Sequence, residues 1–474
     1  MAGGAVGPGV IVDLSRLTDI HPVDAAQRRV WVGAGAIRDA VNQRAREHGL
    51  HFPVDPSSGA FCTVGGMIAT NAAGSHSLRH GATRAWVSAL DCVFEDGTRA
   101  VVRRGGAMPR DVEAISRLAE LGGASVGRLA PALSGWPEVR KNSSGYAVAE
   151  SVATSDLVDL IVGSEGTLAL VVAAELVLDA LPDSTASVLA AFSSLDGAAE
   201  GARLARESGA AACELLDRTF LELAVPAVPA LAGDAAAVLL SSFEGSDALD
   251  VSSAAATLGQ TLARAGATIV NVALEPDAEG ALWSLRHAAS PILSRLDPSL
   301  KSMQLIEDGC VPPDRLADYV RGVRAALAST GIRGVIFGHA GDAHVHANAL
   351  VDVRLPDWRG RVGALLDEVT ALVCDLRGTL AGEHGDGRLR TPLLDKVWSA
   401  AAMRLFADIK IAMDPRGILN PGVKVPMPGQ QPLGDIKYDP ALPPLPAPAR
   451  AALDRIEVER AWSTFRLSLG DGGG

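Results

Sequence analysis

Two short histidine-bearing stretches constrain this chain more than any other feature. The first reads Gly338-His339-Ala340-Gly341-Asp342-Ala343-His344-Val345-His346, the second Gly382-Glu383-His384-Gly385-Asp386-Gly387. The chain has only ten histidines, and four of them fall here. Each stretch follows an apolar run and opens on glycine, which predicts tightly turned backbone at the end of a buried element. Borderline nitrogen and oxygen ligands on such backbone suit a metal site with an adjacent proton acceptor. The argument rests on the constellation, because one such histidine alone is more often a hydrogen-bonded core residue.

With 474 residues the chain can bury a large core and should form more than one domain. Apolar residues make up 48% and charged residues 21%, with a net charge of −12. An acidic chain without basic clusters argues against nucleic acid or an anionic membrane as main partner. The five cysteines (Cys62, Cys92, Cys213, Cys310, Cys374) are scattered and form no CxxC pair. They read as reduced thiols of a cytoplasmic protein and argue against an iron–sulfur cluster within this chain. No signal peptide and no transmembrane segment is legible.

Residues 1–180 alternate short β-rich runs with glycine-rich turns. Val10–Leu14, Arg29–Val32, Leu157–Val162 and Leu168–Leu178 read as strands, and Ile37–His48 as a helix ended by Gly49. Asp96-Gly97 predicts a hairpin between Leu90–Phe94 and Thr98–Val102. Beyond Pro182 helices alternate with strands: helices over Leu195–Ser208, Ser252–Ala265, Pro313–Ser329 and Val362–Leu376, strands over Ala237–Phe243, Thr268–Ala273 and Gly334–Phe337. That order suits an α+β domain with helices on one face of an antiparallel sheet. Nine prolines between Pro421 and Pro448 read as an extended tail, with a last helix over Ala451–Phe465.

Small residues dominate 53–84, above all Thr63-Val64-Gly65-Gly66-Met67-Ile68-Ala69-Thr70-Asn71-Ala72-Ala73-Gly74. Such a stretch lets backbone amides approach a flat, anionic, bulky cofactor. Gly163-Ser164-Glu165-Gly166-Thr167 repeats the chemistry between two apolar runs. No Gly-x-Gly-x-x-Gly follows a first strand, so a nicotinamide-type dinucleotide fold is a poor fit.

Five phrases in order, namely Thr63–Gly74, Asn142-Ser143-Ser144-Gly145-Tyr146, Val162–Thr167, Gly338–His346 and Gly382–Gly387, resemble the FAD-linked oxidases of the vanillyl-alcohol-oxidase superfamily. This group includes D-lactate and D-2-hydroxyglutarate dehydrogenases and the glycolate oxidase flavin subunit. The stretch Asp414–Gly422 resembles that family's close. The resemblance implies an α+β chain: a PCMH-type FAD-binding domain over 1–182, a cap-like FAD-linked oxidase C-terminal domain over 183–425, and a Pro-rich tail over 426–474. Ala2–Gly9 looks like the tail of the family's pyrophosphate loop, so the first domain is expected to be truncated at its N-terminus.

By the same resemblance Thr63, Gly65, Gly66, Asn71, Gly74, Gly81, Gly163, Glu165, Gly166 and Thr167 would line FAD. His339, His346 and Glu383 would hold a divalent metal, zinc foremost, with manganese or iron as alternatives. His384 would be the general base. Arg286, Ser290, Lys301 and Asn348 would contact a small 2-hydroxy acid. His344 stands where relatives often have asparagine; an extra ligand, a second base or a solvent-facing side chain are all open, and a non-ligand role is favoured. Asp342 is expected to stabilise its turn. Ile306–Pro312 resembles larger flavoproteins that continue into a cysteine-rich half, which makes an iron–sulfur or other electron-acceptor protein a candidate partner. The implied activity is FAD-dependent oxidation of a D-2-hydroxy acid of the lactate, 2-hydroxyglutarate or glycolate class. The alternative is a non-catalytic or fragmentary relative or subunit that needs a missing segment or partner to bind FAD.

Overall fold

A computed structural model describes residues 4, 7, 9–224, 235–287, 299–434, 436, 439–451 and 455. Two sheets organise them. The first has four antiparallel strands in the order β1 (Arg29–Gly33), β5 (Leu170–Val177), β3 (Val87–Val93), β4 (Arg99–Arg103). The β3–β4 turn forms as expected: Gly97 takes φ +88° and the Asp96 carboxylate accepts from Thr98 N at 2.8 Å. Two short strands, β2 (Leu50–His51) and β6 (Asp179–Ala180), pair beside this sheet.

The second sheet has seven strands, all antiparallel: β10 (Ile269–Ala273), β7 (Ser184–Phe192), β9 (Ala237–Gly245), β8 (Ala212–Asp217), β12 (Arg333–His339), β13 (His344–Asp352) and β11 (Leu300–Met303). Alternation along its strands sorts the residues by face. Val345, Ala347, Ala349 and Val351 join Ile336, Leu215 and Leu239 in the larger core, under helices Leu195–Glu207, Ala248–Arg264, Leu316–Ser329 and Trp358–Asp375. The other face carries Glu214, His339, His346 and Asn348, and beside them the small cluster of Leu216, Val335, Phe337 and Leu350. Four helices thus cover one face, as expected; the other carries the polar side chains beside an apolar patch packed by Phe220 and Leu285 of helices Arg218–Ala224 and Pro276–His287.

The N-terminal core gathers Val30, Val64, Ile68, Leu90, Ile161 and Leu176, and it also takes in Leu405, Phe406 and Met413 of helix Ala400–Met413. That helix lies far along the chain yet packs in the N-terminal unit. Leu157–Val162 is a correction: Leu157–Ile161 is a buried helical turn, capped by the Asp156 carboxylate on Val158 N at 2.9 Å. A short apolar run carries no period long enough to separate strand from helix, and the cap decides it. Val10–Leu14 forms no strand, and Val10, Ile11 and Val12 are exposed. Of the expected helix Ala451–Phe465, only Ala451 and Arg455 lie among the described residues, both helical. The described residues of the Pro-rich stretch form no strand; they reach the C-terminal unit through buried Ile436 and an Arg359–Asp439 ion pair. No helix among the described residues is long and apolar enough to cross a membrane.

Candidate active site

Local folding places the histidines. Strands β12 and β13 form a hairpin in which His339 lies opposite His344 and Phe337 opposite His346. Ala340–Asp342 make one 3-10 turn, and Ala343 closes it in the left-handed region at φ +53°. The turn is tied outward: Asp342 accepts from Ser77 Oγ at 2.5 Å and Arg140 Nε at 2.9 Å. Asp342, expected to stabilise its turn, does so by fastening the hairpin to the N-terminal half.

The segment Glu307–Cys310 brings the second loop alongside. Cys310 bridges both His344 and Thr379, and Gly382 N donates to Asp308 O at 2.8 Å. The Asp308 carboxylate accepts from His384 N at 2.9 Å and faces His344 Nε2 at 3.0 Å. Glu307 is held by Arg390, which contacts its Oε1 at 2.5 Å.

The result is a buried cluster around Glu383. Glu383 Oε2 accepts from Lys141 Nζ at 3.1 Å. Oε1 faces His339 Nε2 at 3.3 Å, His346 Nε2 at 3.4 Å and His384 Nε2 at 3.7 Å. The far nitrogens of the hairpin histidines are occupied. His339 Nδ1 lies 2.6 Å from Glu214 Oε1, and His346 Nδ1 lies 2.8 Å from the Glu307 carbonyl. An imidazole whose Nδ1–H donates to an oxygen turns an unprotonated Nε2 inward when neutral. Ligand atoms of His339, His344, His346 and Glu383 all lie within 4.8 Å of one another.

Burial and neighbouring charges shift the members of the cluster in different directions. Burial opposes a proton on His339, but Glu214 and Glu383 together push the group up to about 9. A metal bound at Nε2 would displace any proton there. Burial depresses His346, and it lowers His344 to about 4. Burial alone would raise Glu383, yet Lys141 and His339 hold it well below the usual carboxylate range. His384 stacks on His346 with ring centroids 5.3 Å apart, and its Nδ1 lies 3.3 Å from Glu307 Oε1.

The glycine-rich phrases meet the same place. Helix Val64–Thr70 is capped by Thr63, whose hydroxyl accepts from Gly66 N, and closed by Asn71 in the left-handed region at φ +50°. The loop 163–166 runs beside it through Gly163 N to Ile68 O and Glu165 N to Ala69 O, both 2.8 Å. The glycines divide into two groups. A Cβ on Gly65 would meet Ala34 at 2.8 Å, and one on Gly74 would meet Asp55 at 2.3 Å, so these two are small for the chain's own packing. A Cβ on Gly81 or Gly166 would meet no protein atom within 4 Å, and Gly66 is exposed. Such open backbone fits the approach of a flat, anionic cofactor. Gly163 is tighter, near Arg84 and Asn71. The side chains of Glu165 and Thr167 turn inward: Glu165 accepts from Asp386 N at 2.7 Å, and Thr167 Oγ1 donates to Ser164 O at 2.7 Å. The phrase Asn142–Tyr146 lies between the two halves, with Ser143 N on Ala381 O at 2.7 Å and Gly145 N on Asp386 Oδ2 at 2.8 Å. All five phrases thus converge.

The expected substrate contacts are less uniform. Arg286 is buried, with Nε 2.5 Å from Glu214 Oε2 and its guanidinium 5.2 Å from the Phe337 ring centre. Asn348 is buried on β13, two residues beyond His346, and accepts from Ser302 Oγ at 3.5 Å. Lys301 sits on the edge strand β11 opposite Val351. Ser290 lies outside the described residues. Sequence reasoning did not single out Lys141, Glu214, Glu307, Asp308 or Arg390 as site residues. Only the Ile306–Pro312 phrase drew attention to two of them.

Comparison with known proteins defines the class. Residues 181–423 match the family described as FAD linked oxidases, C-terminal domain, and residues 1–103 match an FAD binding domain. The chain belongs to the FAD-linked oxidases, and the family and fold class expected from sequence are borne out. It is similar to glycolate oxidase subunit GlcD of Bacillus subtilis, at 29% identity over 87% of this chain and 79% of that one. It is equally similar to a D-lactate dehydrogenase of Archaeoglobus fulgidus, at 29% over 89% and 83%. The D-2-hydroxyglutarate dehydrogenase of Escherichia coli is 28% identical over 99% of this chain, which spans about half, 48%, of that protein. Among solved structures, 4-ethylphenol oxidase from Gulosibacter chungangensis shares the fold, with a TM-score of 0.62 at 12% identity over 88% of this chain and 80% of that one.

Proposed function

We propose that this chain oxidises a small D-2-hydroxy acid to the 2-oxo acid with FAD. The observation that carries the reading is the convergence of His339, His346 and Glu383 on one point, with His384 stacked against it. These three residues would hold a divalent cation, zinc foremost, with manganese or iron as alternatives. A cation held there supplies Lewis-acid polarisation of the substrate hydroxyl. FAD, bound along Gly66, Gly81 and Gly166, supplies the hydride acceptor.

The chain's own residues handle the proton and the orientation. His384 takes the hydroxyl proton at Nε2, because its Nδ1 faces the carboxylates of Glu307 and Asp308, which keep the other proton in place. Asp308 also accepts from His384 N, so the base is fixed through both backbone and ring. Arg286, steadied at Nε by Glu214, offers its remaining N–H groups to the substrate carboxylate. Asn348, Ser290 and Lys301 complete the substrate contacts. A partner protein, iron–sulfur or other, re-oxidises the flavin.

His384→Ala tests the assignment in the FAD-loaded protein. Anaerobic flavin reduction by a D-2-hydroxy acid should slow by about 100-fold or more while FAD stays bound. Reduction at the unaltered rate would remove His384 as the base.

A further inference from the structure

Of the four histidines in the two loops, His344 is the one without an assigned role. Its side chain is fully buried, so the solvent-facing alternative is ruled out. It lies opposite His339 across the β12–β13 hairpin, with ring centroids 5.5 Å apart, and 4.8 Å from the His346 ring. Its two nitrogens have different surroundings. Nε2 faces the Asp308 carboxylate at 3.0 Å. That carboxylate already accepts from His384 N and lies 3.5 Å from Arg390 Nη1, so it meets Nε2 as an acceptor. Nε2 therefore carries the hydrogen, and Nδ1 is left with a bare lone pair. Nδ1 is buried, has no hydrogen-bond partner, and lies 4.0 Å from Glu383 Oε2.

An unpartnered nitrogen lone pair in a buried site is costly, and here it lies on the side of a carboxylate that cannot donate to it. A cation between the two removes the conflict. His339 shows the same arrangement, with a carboxylate on one ring nitrogen and the other turned toward Glu383. Carboxylate–histidine pairs of this kind orient metal ligands.

We propose that His344 is a fourth protein ligand, so that the cation is held through three imidazoles and the Glu383 carboxylate. The inference rests on the cation reading given above and reverses the non-ligand role favoured from sequence. A fourth protein donor would hold the cation more firmly than three, and expansion to a fifth position would still admit the substrate oxygen. Asp308 then serves two histidines, orienting the ligand His344 and facing the base His384.

The test uses the full-length protein stripped of metal and titrated with zinc against a competing chelator. His344→Gln places an amide nitrogen where Nε2 was, so the Asp308 contact survives while the Nδ1 donor is lost. The variant should bind zinc about tenfold more weakly or worse, and lose it faster to chelator. X-ray absorption of the zinc-loaded unaltered protein gives an independent count that needs no variant: three imidazoles are expected. Two imidazoles, or a His344→Gln affinity equal to the unaltered one while His339→Gln loses zinc, overturns the role of His344 and leaves the cation site standing. A chain that takes up no zinc, manganese or iron fails the cation reading itself, and this inference with it.

Discussion

The loop Gly382–Gly387 carries two buried carboxylates whose surroundings differ sharply. Asp386 Oδ2 accepts from Gly145 N at 2.8 Å and Lys424 Nζ at 3.1 Å, and Lys424 also reaches Glu165 Oε1 at 3.0 Å and the Ser143 carbonyl at 2.5 Å. The chain itself provides the cation there. Glu383 has Lys141 on one oxygen only, and its other oxygen faces the Nε2 atoms of His339, His346 and His384. The first cluster is a staple between the two halves of the molecule. The second has the donors of a cation site without a lysine at its centre. Neighbouring acids on one short loop thus take a structural and a chemical task, decided by whether the fold brings a lysine to the middle.

The sharpest way to break this contrast is to remove the structural cation. Lys424→Met should destabilise the protein by about 3–5 kcal/mol, read by denaturant unfolding, with or without added zinc. A variant as stable as the parent would mean that Lys424 does not neutralise the staple. Glu383→Gln should act oppositely. Zinc affinity should drop by at least about a hundredfold, measured by chelator competition, while the metal-free protein should lose less stability than Lys424→Met, because Asp342 still faces Lys141 at 3.7 Å. Equal losses in both measurements would erase the distinction.

A third test lies outside both clusters. His76 Nδ1 meets Asp55 Oδ2 at 2.6 Å, and its Nε2 meets Ser242 Oγ at 3.0 Å. Burial opposes its charge, but Asp55 outweighs it and pushes His76 to about 9. A folded-state value above the unfolded 6.5 stabilises fully below 6.5 and ceases to do so as pH rises through about 9. His76→Gln should therefore cost about 1–3 kcal/mol near pH 6 and clearly less near pH 10, followed by unfolding at each pH. A cost independent of pH would show that the pair is not ionic. The smallest effect concerns the glycines. Gly166→Ala adds a Cβ that touches no protein atom, at φ +72°, and should cost about 1 kcal/mol in stability. Gly209→Ala, at φ +78° with equally open space, should cost the same. Only Gly166→Ala should weaken FAD, by fluorescence titration; equal FAD affinity in both would move the cofactor away from that loop.

Much of this was legible in the sequence where chemistry repeats over a short span. The β3–β4 turn was written in Asp96-Gly97, and the histidine cluster in two glycine-opened phrases, although the strand His344–Asp352 was not read. Residues that act singly were not legible. Glu214 sits next to no telling neighbour, and Lys141 and Arg390 stand just outside two of the phrases; their roles arise only when segments far apart in the chain are placed side by side. Glu214 shows why: on β8 it is one charged residue in the run Ala-Cys-Glu-Leu-Leu-Asp, and it reaches His339 because β8 pairs with β12. Leu157–Ile161 failed for a different reason, since five apolar-rich residues fit a buried strand and a buried helical turn equally well.

The most direct test of the central claim is anaerobic absorption spectroscopy of the FAD-loaded protein with D-lactate, D-2-hydroxyglutarate and glycolate, before metal removal, after it, and after zinc or manganese is restored. The account predicts that at least one hydroxy acid bleaches the flavin bands, that removal of the metal abolishes the bleaching, and that the added ion restores it. Bleaching that persists unchanged in the metal-free protein would contradict it.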